Sequence, residues 1–278
     1  LVEDSIRFYS SILPNLYNYI LEQSKNFSQE ALNRHAATMR MRGRPKVVLA
    51  RTYEEAQKLY DKYSDNTLGV ISDARFPLKS AAKAFGNEVM PEEKPKHRTD
   101  TFGREKCPDA GLQLFRYIRK NDPFVPLIIE SSESENRAKA EAEGFRFVDK
   151  NSKKMSVDLR RLMEEHMGFG DFIFRDPKTH EEIMRIHSLK ELQDNIFNIP
   201  NDSMLYHISR NHMSRWLCAR AIFPVSAFLK HVTWEKLQDV DAHRQIIFDA
   251  IVQYRHMKNI GVVAVFDRMK FDKYAHFA

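Results

Sequence analysis

Cysteine is scarce in this chain of 278 residues, where Cys107 and Cys218 are the whole complement. Two thiols neither supply a zinc cluster by themselves nor suggest a disulfide framework, and they fit a reduced, cytoplasmic setting. Long apolar runs are missing too. None reaches the ~18 residues that a membrane-spanning helix requires, and the opening residues carry no export-signal pattern. Glycine numbers nine, and no glycine-rich loop of the kind that cradles ATP phosphates is present. No phosphohistidine motif occurs, so this stretch holds no catalytic domain of its own. An initiator methionine is also lacking. Leu1, Val2, Glu3 and Asp4 read as an element already under way, as expected of a piece of a longer protein.

What is present is the balance of an ordinary globular chain, with 42% hydrophobic and 29% charged residues. The formal net charge of +6 would permit nucleic-acid binding, but the basic residues are dispersed. Their densest cluster is Arg34, Arg40, Arg42, Arg44 and Lys46. Without a recognisable binding motif it reads as a solvated face or linker, which disfavours nucleic acid as a partner and leaves a nucleic-acid-binding regulator as a further alternative.

Apolar residues Ile6, Tyr9, Ile12, Leu13, Leu16, Tyr17 and Ile20 recur at three and four, which predicts an amphipathic helix over residues 5–22. Pro14 should kink it or mark a boundary. A further helix is expected over 28–41, broken at Gly43, Arg44 and Pro45. From there short apolar runs alternate with helical patterns. Strands are expected at 47–49, 68–71, 127–129 and 145–148. Helices are expected at 53–63, 109–120, 135–143 and 153–167, the first opened by Thr52 and Glu55 as a capping box. Residues 78–107 have no periodicity and read as an inserted loop, disordered by default. With residues 1–4 as the first strand, the pattern implies an α/β domain over residues 1–168. Its core is a five-stranded parallel, doubly wound sheet, with insertions at about 23–44 and 78–107.

Ligands of such sheets bind at the carboxyl ends of the strands. The residues expected there are Glu3, Asp4, Asp73, Ser131 and Lys150. Crowded carboxylates repel one another and call for a hard, oxygen-liganded cation such as Mg²⁺. With that charge offset, one carboxylate can attack phosphorus to form an acyl phosphate, and a lysine and a hydroxyl can meet the phosphoryl oxygens.

On these residues the chain resembles the response-regulator receiver family, whose fold is flavodoxin-like. Val70, Ile71, Ser72, Asp73, Ala74, Arg75, Phe76 and Pro77 look like the phosphoacceptor motif, and Glu3-Asp4 like the metal-binding acids. Pro108 to Leu112 resembles the start of the third family helix. Pro126 to Ser132 resembles the fourth strand, and Phe145 to Lys150 the fifth. The resemblance implies Asp73 as phosphoacceptor and Mg²⁺ held by Glu3, Asp4, Asp73 and the backbone carbonyl of Arg75. It implies Ser131 and Lys150 on the phosphoryl group, Ser131 and Phe147 as a switch pair, and a histidine kinase or other phosphodonor as partner. The face of the fourth and fifth elements is then a candidate homodimer surface. Three departures from the family are the extra segment to residue 44, Asn151 in place of the proline after the lysine, and the insertion between Pro77 and Pro108. A receiver fold can also serve as a docking scaffold that is never phosphorylated, and that alternative stays open.

Residues 169–278 read as a mostly helical α+β connector. A hairpin is expected around Asp176, Pro177, Lys178 and Thr179, followed by a helix capped by Ser188 and helices from Pro200 through Val232. A long helix capped by Thr233 should stop at Gly261, with a final strand at 262–266. His207 and His212 are five apart, the wrong pitch for one helical face. Arg210, Arg215 and Arg220 likewise spread around a helix; they could bind an anion, but read more readily as solvated. Residues 188–220 and 259–278 resemble a linker region of bacterial phosphoenolpyruvate synthase and pyruvate phosphate dikinase-type proteins. That resemblance implies a regulatory module attached to a C-terminal catalytic domain of that type.

Overall fold

The structure is a computed structural model that describes residues 1–31, 33–79, 99–100 and 103–259. In its first half α1 (Ile6–Gln29), α2 (Arg34–Arg42) and α3 (Tyr53–Tyr63) precede β1 (Val70–Asp73). Two short strands follow, β2 (Phe76–Pro77) and β3 (Lys106–Cys107), then α4 (Ala110–Asn121) and β4 (Leu127–Ser131). This half closes with α5 (Glu135–Ala142), β5 (Arg146–Asp149) and α6 (Met155–His166).

β1, β4 and β5 form one parallel sheet in that order, with Ile71 opposite Ile128 and Ile129 opposite Phe147. Successive side chains enter opposite layers, as the strand period demands. Ile71, Ile128 and Val148 pack with Ile12, Leu16, Leu159 and Leu162 of α1 and α6. Leu127 and Ile129 pack with Tyr60, Leu114, Phe115, Ile118 and Ala140 of α3, α4 and α5. Helices therefore cover both faces of the sheet.

The sheet has three strands where the sequence predicts five. The two remaining segments make only single-residue parallel bridges, Val2 to Ala50 and Val2 to Ser72. Val2 N donates to Ile71 O at 2.8 Å and Asp73 N to Val2 O at 2.8 Å, while Glu3 N donates to Ala50 O at 3.0 Å. The expected strand at 47–49 does not form, because Val48 is 47% exposed and the run is not enclosed on both sides. Helix α1 also outruns its expected end and passes through Pro14, which lies on the solvent side. There water can satisfy the carbonyl that proline leaves unbonded. Buried Ser24 and Phe27 carry its inner face beyond residue 22.

Most of the expected insertion, residues 80–98 and 101–102, lies outside the described residues. Its two flanks meet, since β2 and β3 pair antiparallel with Phe76 opposite Cys107 and Pro77 opposite Lys106.

In the second half, β6 (Phe172–Arg175) and β7 (Glu182–Ile186) form the expected hairpin. Asp176 nucleates its turn, accepting from the amides of Lys178 at 2.7 Å and Thr179 at 2.9 Å. Helices α7 (Leu189–Asn195), α8 (Asn201–Ser209), α9 (His212–Ala219), α10 (Phe223–His231) and α11 (Val240–Asn259) follow. Ser188 caps α7 as expected, its hydroxyl accepting from Glu191 N at 3.2 Å. The long helix starts later than Thr233. Asp239 opens it, accepting from the amides of Asp241 and Ala242 at 2.9 and 3.0 Å. Gly261 and the strand expected at 262–266 lie outside the described residues. Phe174, Leu192, Ile196, Met204, Leu217 and Ile251 are fully buried in the core of this half. Among the described residues no helix is long and apolar enough to cross a membrane.

Arg220, expected to be solvated, is 2% exposed and ties the halves together. Its guanidinium donates to Gly168 O at 2.8 Å and Gly170 O at 2.9 Å, and stacks on Trp216 at 3.9 Å and Phe27 at 4.2 Å. Substituting Arg220→Met strands two carbonyls and a cation–π sandwich. We expect it to lower the unfolding free energy by about 3 kcal/mol in urea titrations. A change no larger than that of exposed Arg185→Gln would remove this latch.

His207 and His212 do meet, their Nδ1 atoms 3.0 Å apart. Asn211, left-handed at φ 54°, turns the chain so sharply between α8 and α9 that helical pitch no longer governs the pair. Burial lowers the His207 pKa to about 4 and the His212 pKa to about 3, helped by neighbouring arginines. Below pH ~6.5 the unfolded chain takes up protons that the folded pair refuses. The pair's stabilising contribution is thus whole above that pH and lost as pH falls towards 4. His212→Gln should flatten this acid-side loss relative to wild type, read from unfolding free energies between pH 7 and 4.5. Parallel pH profiles would refute the assignment.

Candidate functional site

The carboxyl ends of the strands gather four acidic side chains. Glu3 and Asp4 follow the Val2 bridge, Asp73 ends β1, and Glu130 lies opposite Asp73 on β4. One carboxylate oxygen from each of Glu3, Asp4 and Asp73 lies within 4.8 Å of the others. Glu3, Asp4 and Glu130 are fully buried, whereas the Asp73 side chain keeps 14% exposure. Asp73 is the member of the four that keeps solvent exposure.

Two lysines answer this negative charge. Lys150, just past β5, places its ammonium between Glu3, in a very short hydrogen bond, and Asp73 Oδ2 at 3.1 Å. Its backbone N–H is fixed by Ser131 O at 3.0 Å, and its ammonium lies 4.5 Å from the centre of the Phe8 ring. Lys106 on β3 reaches Asp4 Oδ2 at 2.7 Å. Burial pushes the Glu3 carboxyl up to about 8, with Asp73 adding to the shift and Lys150 opposing it. Burial also raises Asp4, against the pull of Lys106. The same cause takes Glu130 to about 7, again opposed by Lys150. For Lys150 burial favours the neutral amine, but Asp73, Glu3 and Glu130 outweigh it and keep the ammonium charged.

Asp4 Oδ1 and both oxygens of Glu130 receive no hydrogen bond among the described residues, while Asp4 Oδ2 is taken by Lys106. Buried carboxylate oxygens normally find donors. The cluster of Glu3, Asp4 and Asp73, with this free Asp4 oxygen, is a ligand set that a hard cation could use.

The remaining expected residues stand around this cluster rather than in it. Ser131, 4% exposed at the end of β4, accepts hydrogen bonds at Oγ from Asn136 Nδ2 at 2.9 Å and Glu133 N at 3.1 Å. Arg75 pairs through its side chain with Glu133 at 3.1 Å. Phe147 is half-buried on β5 beneath the guanidinium of Arg137, 4.8 Å from its ring centre. The Asp73 carboxylate also caps its own turn, Oδ1 accepting from Ala74 N at 2.7 Å.

Sequence reasoning missed Lys106, Glu130 and Asn136. Lys106 lies in a segment with no periodicity to signal a strand. Glu130 sits inside an apolar run, where a lone acid facing the Asp73 register was the available signal. No family model matches the chain, and no curated protein or solved structure matches it either.

Gly111 sets the seat of Asp73. Its N–H donates to Ala74 O at 3.1 Å, and a Cβ there would collide with the Asp73 carbonyl and stand 3.2 Å from Ala74 Cα. Backbone cannot yield as a side chain can, so Gly111→Ala should cost about 1–3 kcal/mol by urea unfolding. Stability equal to wild type would show that α4 shifts freely and does not position Asp73.

Proposed function

We propose that residues 1–168 form a phosphoacceptor receiver domain in which Asp73 takes up a phosphoryl group. The observation that carries this reading is Lys150, bound at once to buried Glu3 and to partly exposed Asp73. The chain order across the sheet supports it, running residue 50, 2, 72, 129, 147 through the bridges and ladders. With α1 and α6 on one face and α3, α4 and α5 on the other, this agrees with a five-stranded doubly wound sheet.

In the proposed reaction an Asp73 carboxylate oxygen attacks the phosphorus of an acyl phosphate or phosphohistidine. The new P–O bond makes an aspartyl phosphate, and the bond from phosphorus to the donor breaks with its electron pair leaving on the donor. Bound Mg²⁺ would supply positive charge to the carboxylates and the phosphoryl oxygens. Lys150 would turn from Asp73 to the phosphoryl group while staying on Glu3. The Ser131 hydroxyl would leave Asn136 for a phosphoryl oxygen. Phe147, beneath Arg137, would then redistribute between two positions and report the state to the attached domain. The carbonyl of Arg75 is the further metal ligand in this scheme. Placing a phosphoenolpyruvate synthase-like domain downstream rests on the sequence resemblance alone.

A second reading, an unphosphorylated docking scaffold, is favoured by one contact. Lys106 already pairs with Asp4, so two lysines offset much of the charge that a cation would meet. Intact-mass measurement after incubation with acetyl phosphate and Mg²⁺ separates the two. We expect addition of one phosphoryl group to wild type, none to Asp73→Asn, and a slower gain in Lys150→Met. No addition to wild type, or equal addition to Asp73→Asn, overturns the phosphoacceptor function and leaves the scaffold.

A further inference from the structure

The amino end of the same sheet opens on a cleft of about 1200 Å³ between the two halves. Pro126, Leu127 and Arg146 of the sheet form one wall, and the α8–α9 corner forms the other. The chemistry of that corner is one-sided. His207, His212, Arg210 and Arg215 all line the cleft, and His166 enters it from the end of α6.

Acidic residues line the cleft as well, but each is engaged elsewhere. Asp171 pairs with Arg185 at 3.3 Å and His187 at 2.9 Å. Glu165 is shared by Arg161 and His166, Glu164 accepts from the Tyr19 hydroxyl, and Glu30 lies 3.8 Å from Arg40. Asp122, the acid whose charge Arg215 feels most, is turned to the Phe124 amide at 3.0 Å. Arg220 is spent on the carbonyls of Gly168 and Gly170.

That leaves a cationic group with no protein partner. Arg215, half-buried, makes no hydrogen bond or ion pair among the described residues, and partial burial pulls its pKa down. Arg210 uses only Nη1, on Tyr206 O and Ser209 Oγ, with its guanidinium 4.0 Å from the Tyr206 ring centre. Nε2 of His207 is buried and unbonded, while its Nδ1 faces His212. A half-buried guanidinium without a protein partner, beside a second arginine and the buried, unbonded Nε2 of His207, offers donors that an anion would join. Arginine forks suit phosphate oxygens in particular.

We propose that this cleft is a binding site for a small phosphorylated ligand, held by Arg215 and Arg210 with His207 and His212 beside them. A compact phosphate fits better than a nucleic acid, because the unpartnered groups converge on one concave corner and do not trace a stripe. The site is separate from Asp73, at the opposite end of the strands.

Calorimetric titration of the whole chain with inorganic pyrophosphate tests this, with sulfate as a second probe. Saturable one-site binding is expected, weakened about tenfold or more in Arg215→Gln and in Arg210→Gln, since each removes a charge-assisted contact. Arg215→Lys should retain part of the affinity. Asp73→Asn and Lys178→Gln, the latter on the exposed hairpin turn, should bind as wild type does. Because Arg215 makes no hydrogen bond or ion pair among the described residues, Arg215→Gln should melt no lower than wild type without ligand, which separates lost binding from lost folding. Non-saturable binding, or equal weakening by Lys178→Gln, would overturn the proposal. So would tighter, steeply salt-dependent binding of a single-stranded RNA oligonucleotide.

Discussion

A single buried ammonium organises the acidic end of this molecule. Lys150, whose side chain is 2% exposed, joins Glu3 from the chain's first segment to Asp73 at the end of β1, with the Phe8 ring of α1 beside it. Three buried or half-buried acids without a countercharge would expel one another or take up protons. The lysine keeps them together, and its own charge is held by their sum. Breaking such an arrangement from one side costs far more than the pair is worth, because it leaves uncompensated charge in a low dielectric. The register of β5 against β4, which sets Ser131 opposite Asp149, delivers Lys150 one residue later at the site.

The two ends of the sheet carry opposite electrostatic characters. β5 is four residues long, or about 13 Å. Arg146 at its start faces the basic cleft, and Lys150 after its end faces the carboxylates. Phe147 lies between them under Arg137. An anion at one end and a phosphoryl group at the other would act on the same short strand. Contiguity alone is not coupling; what links two such sites is an element with two arrangements, a role that Phe147 would fill under the proposed receiver function.

The helices and inner strands were readable because their periodicity is strong. Leu112, Leu114, Phe115 and Ile118 mark α4, and the apolar runs ending at Asp73 and Ser131 mark β1 and β4. The outer part of the sheet was over-read, since Val47, Val48 and Leu49 have strand composition but not burial on both sides. Glu3, Asp4, Asp73 and Lys150 could be gathered on paper because a parallel sheet aligns strand ends. Lys106 could not, for its strand is two residues long and pairs only through tertiary context. The His207–His212 contact was hidden by the positive φ of Asn211, which breaks the helical pitch from which side-chain neighbours are inferred. Arg220 was mistaken for a surface residue because nothing in its spacing reveals the two carbonyls waiting across the chain.

The threading of Val2 between Ala50 and Ser72 has a consequence for how the chain acquires its shape. The segment between them is made before either neighbour; these come roughly fifty and seventy residues later, and its countercharge only with Lys150. Such separations make folding slow and leave early segments waiting with open edges. Until Lys150 emerges, Glu3 and Asp73 repel across the gap they must close. The acidic cluster is thus a late lock in the order of assembly, and a ribosome stalled before residue 150 would present Glu3 and Asp73 without the lysine that joins them.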